Sequence, residues 1–300
     1  MNLRDLRYLV ALADERHFGR AAERCFVSQP TLSAQIRKLE EYLGVSLVER
    51  RPKRVTLTAA GEKIVERARR LLQEADSIVE LAKTERDPLA GQLRLALIPT
   101  VGPYLLPHVV RRLRRALPRL KLLLYEYQTG PLLQKLRDGE LDLGILALPA
   151  AADGLATAEL YEEPFMLAVP ANHPLAAHDR VRLEDLEGEP LLLLEDGHCL
   201  RDQALEVCSR IRLGEEQDYR ATSLETLRQM VAAGHGVTLL PQFAAASPVG
   251  TARGLRIKPF GNPPPARTIG AVWRKSTTRG QAIDSVVATI RVAIKEEQQR

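Results

Sequence analysis

The sequence contains no long uninterrupted apolar run, no low-complexity tract and no internal repeat. Without an apolar run of membrane-spanning length, neither a transmembrane helix nor a membrane partner is expected. The N-terminal stretch MNLRDLRYLVALADERHF carries a charge every few residues, so it lacks the apolar core of a signal peptide. We therefore predict a globular protein of the cytoplasm.

Cysteine is scarce, because the chain has only Cys25, Cys199 and Cys208 and no C-x-x-C pair. This pattern excludes a zinc framework, and a reducing cytoplasm disfavours structural disulfides. Neither a metal ion nor a cofactor is therefore expected. Cys25 lies on the apolar side of a predicted helix, and we interpret it as a small buried hydrophobic residue.

The composition that is present, 45% hydrophobic and 27% charged residues over 300 positions, is typical of two or three compact units. The formal net charge is +5, and it is unevenly distributed. Residues 1–60 contain eleven Lys or Arg against seven Asp or Glu. A local basic excess is compatible with a nucleic-acid partner, and an ordinary solvated surface is the alternative.

Three short helices are predicted at the start of the chain, in LRDLRYLVALADE, HFGRAAERC and SQPTLSAQIRKLEEYLG. The third begins with Ser28 as N-cap and Pro30 in its first turn, and it ends at Gly44. One face of this helix is apolar. The other carries groups suited to phosphates and base edges, as a recognition helix requires. These are Gln29, Thr31, Ser33, Gln35, Arg37 and Lys38.

After the third helix, LVERRPKRVTLTAAG predicts two short strands around Pro52 and Lys53, a basic wing that could touch the phosphate backbone. The next segment, AAGEKIVERARRLLQEADSIVELAKTERD, predicts a long helix in which Ile64, Leu71 and Ile78 repeat every seven residues. Such a seam favours a partner helix from a second subunit. A helical hairpin within one subunit is the alternative.

The run HFGRAAERCFVSQPTLSAQIRKLEEYLGVSLVERRPKRVTLTAAG resembles the winged helix-turn-helix of LysR-type transcriptional regulators. One departure is Val48, where that family commonly has Phe; the difference concerns packing. The resemblance implies a DNA-binding domain over 1–59, a linker helix for dimerisation over 60–86, and double-stranded operator DNA as partner. It implies base contacts by Gln29, Pro30, Thr31, Ser33 and Arg37 and phosphate contacts by Arg50 and Arg54, with Ser28 and Lys38 also in the DNA-binding set.

Beyond the linker DPLAGQ, strands such as LRLALIP, LKLLLYEY and LDLGILAL alternate with helices, which predicts a mostly parallel sheet covered by helices. Two such lobes resemble the effector domains of the same family, which look like periplasmic solute-binding proteins. The resemblance implies lobe I over 91–162 and 268–300, and lobe II over 163–267. Because ligands in such sheets lie at strand carboxyl ends, Thr100 and Thr129 are expected to face the cleft.

Cys199 and Cys208 lie nine positions apart in a segment that reads as strand EPLLLLE, turn DGH and helix CLRDQALEVCSRI. Cys199 falls at the helix start, where free N–H groups favour a thiolate. The predicted buried face is Leu200, Ala204, Val207, Cys208 and Ile211.

Nine positions of intact helix rise roughly 13–14 Å, whereas a disulfide needs Cα atoms within about 7 Å. The two thiols therefore cannot join until the helix unwinds. Two incidental small buried residues are the alternative interpretation.

A second resemblance is narrower. LLEDGHCLRDQALEVC, RATSLETLRQMVAAGHGVTLLP, LIPTVGPYLLP, YEYQTG and RTIGAV look like the hydrogen-peroxide-sensing branch of the LysR-type family. It implies that Cys199 attacks peroxide to give a sulfenic acid, and that Cys208 condenses with it to a reversible disulfide. Peroxide binding is implied for Thr100, Thr129, His198 and Arg267.

The same resemblance implies an activator of antioxidant genes that works as a tetramer, recruits RNA polymerase and is reset by a glutaredoxin- or thioredoxin-type reductant. Two other functions remain open. The chain could be a LysR-type regulator whose cleft binds a small organic effector, or a thiol peroxidase that turns over at Cys199. A helix-turn-helix and a linker helix have no role in a pure peroxidase, so we expect a protein that is not an enzyme.

Overall fold

The computed structural model describes residues 1–51, 54–84, 87–150, 153–209, 220–248 and 252–298. The chain divides into two compact units, Met1–Arg86 and Asp87–Arg300. No helix in these described ranges is long and apolar enough to cross a membrane. Nor do the described residues contain a cluster of three His, Cys, Asp or Glu side chains that could hold a metal ion.

The first unit has the predicted winged helix-turn-helix followed by a long helix. Its elements are α1 Leu3–Glu15, α2 Phe18–Arg24, α3 Gln29–Leu43, β1 Val48–Arg51, β2 Arg54–Leu57 and α4 Ala59–Thr84. Strands β1 and β2 pair antiparallel, with Val48 opposite Leu57. The two-stranded wing follows α3 after a short turn.

Caps and a small apolar core explain the helix positions in this unit. Asn2 and Asp5 form a reciprocal capping box at the start of α1, and the Ser28 hydroxyl accepts a hydrogen bond from the Thr31 N–H at the start of α3. Leu12 and Ile36 are fully buried in the core between the helices. Burial of each such side chain contributes about 1.5–3 kcal/mol.

Helix α4 uses one side for this core and leaves another side exposed. Ala68 and Leu72 are buried with Leu6 of α1, whereas Leu71 and Ile78 are 46% and 64% exposed. Ile64, the first residue of the predicted seam, packs against the core of the winged domain. Of the three residues in the seven-residue repeat, Ile64 therefore stabilises its own unit, whereas Leu71 and Ile78 face solvent.

The second unit is built from alternating strands and helices. Its elements are β3 Gly91–Leu97, α5 Gly102–Ala116, β4 Leu120–Glu126, α6 Thr129–Arg137, β5 Leu143–Leu148, β6 Leu155–Pro170, β7 Leu193–Leu194, α7 Cys199–Val207, β8 Arg220–Ala221, α8 Leu224–Ala232, β9 Thr238–Pro241, α9 Gln242–Ala246, β10 Leu255–Pro259, β11 Ala266–Arg274 and α10 Gly280–Gln298. Two short 3₁₀ turns, Pro174–Ala177 and Leu183–Leu186, follow β6.

The main sheet is mixed, not mostly parallel as the alternation predicted. Strand β3 pairs parallel with β4 and β5, but β11 runs antiparallel to both β5 and β6. Strand β6 is 16 residues long; its first part pairs with β11 and its second part with β9 and β10. The antiparallel pairs arise because β11 lies between β5 and β6, and because β6 also pairs with β9 and β10. The local alternation of strands and helices does not indicate these distant pairings.

Two separate apolar cores cover this sheet. The first contains β3, β5, α6 and α10 together with Tyr161 of β6, and the second contains Phe165 of β6 together with α8 and β9. The change of core within β6 separates two lobes, and β6 runs through both of them. The exact lobe boundaries at 163 and 268 stay predictions.

Candidate functional site

Cys199 is the first residue of α7, immediately after a tight turn. Gly197 in that turn has φ +95°, and a Cβ there would lie 2.9 Å from the Gln128 side-chain oxygen. Glycine is therefore required both by the backbone conformation and by the close approach of Gln128. His198 is the N-cap residue and Cys199 follows it. The turn thus presents the thiol at the end of a helix where backbone N–H groups are not used within the helix.

Helix α7 is shorter than predicted. It ends at Val207, with Cys208 as its C-cap, whereas the periodicity extended it to Ile211, which lies outside the described residues. Leu200, Ala204 and Cys208 are buried as expected, but Val207 is only half-buried. The apolar face thus stops at Cys208 because the helix stops there.

The two thiols are free and lie at opposite ends of α7. A helix of this length separates them axially by roughly 13–14 Å, about twice the Cα separation that a disulfide permits. Cys199 is half-buried against the first core, whereas Cys208 is buried in the second. Burial raises the pKa of the Cys208 thiol to about 11. The reduced fold therefore holds one reachable thiol and one sequestered, protonated thiol.

The start of α6 lies beside the start of α7. The Gln128 Nε2 group donates a hydrogen bond to Nε2 of His198 over 3.1 Å, which requires the neutral imidazole. Burial also lowers the pKa of His198, against an opposing effect of Glu195. Within the described part of the chain, the buried Thr129 Oγ1 and Gln203 Oε1 atoms have no hydrogen-bond partner. Gln203 is one turn from Cys199 on α7, so both orphan atoms belong to this region.

A buried ion pair lies at the other predicted peroxide residues. Arg267 and Glu163 are 3% and 2% exposed, and Nε and Nη2 of Arg267 donate to Oε2 of Glu163 over 2.9 and 2.8 Å. The same guanidinium donates to the hydroxyl and carbonyl oxygens of Thr100 over 3.1 and 3.0 Å. Glu163 also accepts from the Phe243 N–H of α9. The pair thus joins β6, β11, α9 and the loop after β3.

Thr100 and Thr129 follow neighbouring strands at one edge of the sheet. Leu97, at the end of β3, pairs with Glu126, at the end of parallel β4, and the Tyr127 N–H donates to the Leu97 carbonyl. The carboxyl ends of both strands therefore meet, which is where ligands bind in such sheets. Sequence reasoning placed these two threonines at strand ends but missed Gln128, Gln203 and Glu163. Only Gln203 had a sequence signal, its position one helical turn after Cys199.

The predicted DNA-reading residues lie on the outer face of α3. Ser33 is half-buried, and the others are exposed: Ser28, Gln29, Pro30, Thr31, Arg37 and Lys38. The Thr31 hydroxyl lies 2.8 Å from that of Ser28. Arg50 and Arg54 lie on β1 and β2 of the wing, but their side chains lie outside the described part of the structure. Cys25, the C-cap of α2, packs at the edge of the core half-buried, and this burial raises its pKa.

Comparison with known families gives a match in both units. Residues 3–62 match the family "Bacterial regulatory helix-turn-helix protein, lysR family", and residues 86–294 match the "LysR substrate binding domain". The chain is 50% identical over 291 residues to the hydrogen peroxide-inducible genes activator of Dickeya chrysanthemi, covering 95% of each chain. It is 48% identical to the DNA-binding transcriptional dual regulator OxyR of Escherichia coli K12, covering 97% of this chain and 95% of that one.

Solved structures give the same result. A full-length OxyR mutant from Pseudomonas aeruginosa is 44% identical, with a TM-score of 0.77, covering 97% of this chain and 98% of that one. A Corynebacterium glutamicum OxyR mutant with bound H₂O₂ is 36% identical, with a TM-score of 0.66, covering 98% and 93% of the two chains. These similarities extend over both units of the chain.

Proposed function

The chain belongs to the LysR family of bacterial helix-turn-helix regulators, within its group of hydrogen peroxide-inducible genes activators, and from that premise we propose that a Cys199–Cys208 disulfide switches it on. The observation that carries this proposal is the placement of the two thiols at opposite ends of α7, each against a different core. Formation of a disulfide between them requires α7 to unwind and Cys208 to leave its core. Oxidation is thereby converted into a change of shape.

The chemistry has two balanced steps. The Cys199 thiolate attacks one peroxide oxygen, an S–O bond forms, the O–O bond breaks, and the departing hydroxide takes up a proton as water. The Cys208 sulfur then attacks the sulfenic sulfur, an S–S bond forms, and the S–O bond breaks to release a second water. A dithiol protein of the glutaredoxin or thioredoxin type reverses the change. Each cycle thus consumes one peroxide and oxidises two thiols.

The order of the steps follows from the environments of the thiols. Only a thiolate is an effective nucleophile, and burial raises the pKa of Cys208 to about 11, which keeps that thiol protonated near neutral pH. Cys199 is half-buried at a helix N-terminus and is the thiol that a small molecule can reach. Cys199 therefore reacts first, and Cys208 becomes reactive only after its core has opened.

The orphan oxygens beside α7 supply hydrogen-bonding capacity for peroxide. Peroxide offers two O–H donors and four lone pairs, while the buried Thr129 Oγ1 and Gln203 Oε1 atoms have no partner within the described residues. An unpartnered buried polar atom is costly unless a ligand or water satisfies it. We assign these two groups to peroxide binding together with His198. Thr100 belongs to the same sheet edge and is held there by Arg267.

As a member of this family, the protein binds DNA and self-associates. We assign base reading to the exposed face of α3 and dimerisation to the exposed Leu71 and Ile78 of α4. Assembly of dimers into a tetramer, recruitment of RNA polymerase at antioxidant genes and action in the cytoplasm complete the proposal. In this scheme the unwinding of α7 shifts subunits against each other and respaces the DNA-binding domains.

Two cysteine variants test the switch. After addition of one equivalent of H₂O₂, mass spectrometry should find a Cys199–Cys208 disulfide in the parent, a trappable sulfenic acid at Cys199 in Cys208→Ser, and no oxidation at position 208 in Cys199→Ser. The DNA footprint should change on oxidation in the parent only. Cys25→Ser is the matched control and should behave as the parent.

Other outcomes point to the alternative functions. A footprint that responds normally in Cys199→Ser would favour a small organic effector in the cleft. Multiple turnovers of peroxide with a dithiol reductant, with no change in footprint, would favour a peroxidase.

A further inference from the structure

Phe26 is the most exposed of the large hydrophobic side chains in the described structure, at 96%. It lies in the turn between α2 and α3 and adopts φ +55°. A bulky residue rarely adopts positive φ, because its Cβ approaches the following carbonyl. Both the exposure and the backbone conformation oppose an aromatic residue at this position.

The turn itself has no need of this side chain. The Val27 N–H donates to the Ala22 carbonyl, and the Phe26 N–H donates to the Glu23 carbonyl. These two bonds define a Schellman motif, in which Phe26 occupies the left-handed position that usually carries Gly or Asn. The apolar contact of the motif is made by Val27, which packs against the core. Phe26 is thus an unfavourable choice for the turn, and its ring is left outside the core.

The position of the ring points to a partner. Phe26 is two residues before Ser28, the N-cap of α3, and the exposed Gln29, Pro30 and Thr31 follow directly. In helix-turn-helix proteins the N-terminal end of the second helix enters the major groove. The ring therefore borders the surface assigned to base reading and is continuous with it.

We propose that Phe26 is a DNA-contacting residue whose ring packs on thymine methyl and deoxyribose groups at the edge of the operator's major groove. Thymine methyl groups are the apolar surface that this groove offers to side chains such as Phe. DNA is a better occupant than a second copy of the chain, because polar DNA-reading residues follow the ring directly along the chain. The inference rests on the proposed function of α3 in reading bases. To that function it adds Phe26 as a DNA contact and a preference for thymine.

The test uses full-length protein and an operator duplex selected by the parent protein from random-sequence DNA. Phe26→Gly and Phe26→Asn remove the ring and suit the left-handed backbone, so both variants should unfold at or above the parent temperature. Their operator affinity should fall about tenfold by fluorescence anisotropy, with an unchanged dependence on salt, because no phosphate contact is lost. Tyr42→Ala is the matched control, since Tyr42 is also exposed, at 68%, near the other end of α3. Its affinity should stay within twofold of the parent.

Uracil-for-thymine substitution isolates the methyl groups. The substituted operator should bind more weakly to the unmodified protein, whereas the affinity of Phe26→Gly should change little. Affinities of both Phe26 variants within twofold of the parent would overturn the inference, as would an equal loss in Tyr42→Ala. A change of oligomeric state in light scattering without loss of DNA affinity would assign the ring to a second copy instead. Arg37→Ala separates this result from the proposed function: if it also leaves operator binding intact, α3 is not the reading helix.

Discussion

The two cysteines show how position along one short helix gives chemically identical side chains different properties. Cys199 begins the first turn of α7 and contacts the first core at its edge, whereas Cys208 is 1% exposed in the second core. His198, which directly precedes Cys199, is kept neutral by burial and by the hydrogen bond from Gln128. Burial is therefore the largest influence on the protonation of Cys208 and His198, and charged neighbours have a smaller effect.

The burial of Cys208 predicts a pH dependence of stability. Because the pKa of this thiol is raised to about 11 in the folded protein, from about 8.5 when unfolded, the folded state retains the proton longer. Its contribution is fully present below pH ~8.5 and is lost as the pH rises through about 11. The loss should be of the order of 1–3 kcal/mol.

Urea unfolding of the reduced protein between pH 7 and 11 measures this effect. The parent should lose more stability over the range than Cys208→Ala, in which no thiol titrates at this position. Leu205→Ala, a change of an exposed residue of α7 that removes no titrating group, serves as control for the general effect of alkaline pH. Parallel curves for the parent and Cys208→Ala would show that the buried thiol does not contribute.

Helix α4 illustrates how an element can serve two interfaces. Ala68 and Leu72 face α1, while Leu71 and Ile78 point to solvent about two turns apart. A helix of 26 residues with an apolar stripe on a second side is typical of a helix that pairs with a copy of itself. The element therefore stabilises its own unit through one side, and the other side is the surface that we propose for pairing of subunits.

Loss of the exposed stripe should separate the subunits without unfolding the winged domain. Leu71→Ser with Ile78→Ser should weaken dimerisation by at least about tenfold, because two apolar contacts of the seam are lost. Sedimentation at micromolar concentrations measures the change. Glu66→Ser, an exposed change on another side of α4, is the control and should remain a dimer. A doubly substituted protein that stays dimeric would show that another surface holds the subunits together.

Strand β6 runs through both lobes of the effector unit, and a buried ion pair lies where it passes from one lobe to the other. Arg267 of β11 and Glu163 of β6 lie where β6 passes from the first core to the second, and the pair also holds Thr100 and the Phe243 N–H. A buried pair of this kind is costly to form and costlier to break, because removal of one partner leaves the other charge uncompensated. It fixes the position of Thr100 at the carboxyl end of β3 relative to β6 and β11.

Removal of one partner should destabilise the whole effector unit. Glu163→Ala leaves the Arg267 guanidinium buried without its carboxylate and removes the acceptor of the Phe243 N–H, so unfolding free energy should fall by roughly 3–5 kcal/mol. Asp185→Ala, which removes the pair with the exposed Arg182 guanidinium and one capping hydrogen bond, is the control and should cost no more than about 1–2 kcal/mol. Equal effects of the two substitutions in chemical unfolding would contradict the assigned role of the buried pair.

Local patterns in the sequence predicted most of the helices and strands, since caps and periodicity act over a few residues. Ser28 and Gly44 bounded α3 correctly, and the spacing of Cys199 and Cys208 predicted their separation on one helix. The prediction of a mostly parallel sheet was wrong, because the directions of β6 and β11 depend on partner strands far away in the chain. The end of α7 was also misplaced, because the apolar period continued beyond the point where the helix stops.

The amino-acid sequence by itself determined the winged helix-turn-helix, the long helix and the two-lobed class of the effector unit, because their caps, periodicities and motifs are local in the chain. The pairing of Cys199 with Cys208 stays a prediction. Only the tertiary structure paired Glu163 with Arg267 and placed Gln128 against His198. It also decided that Ile64 packs on the core of the winged domain while Leu71 and Ile78 stay exposed. These contacts join residues far apart in the chain or depend on which neighbour covers a surface. Such information is absent from local spacing, because burial is a property of the whole packed molecule.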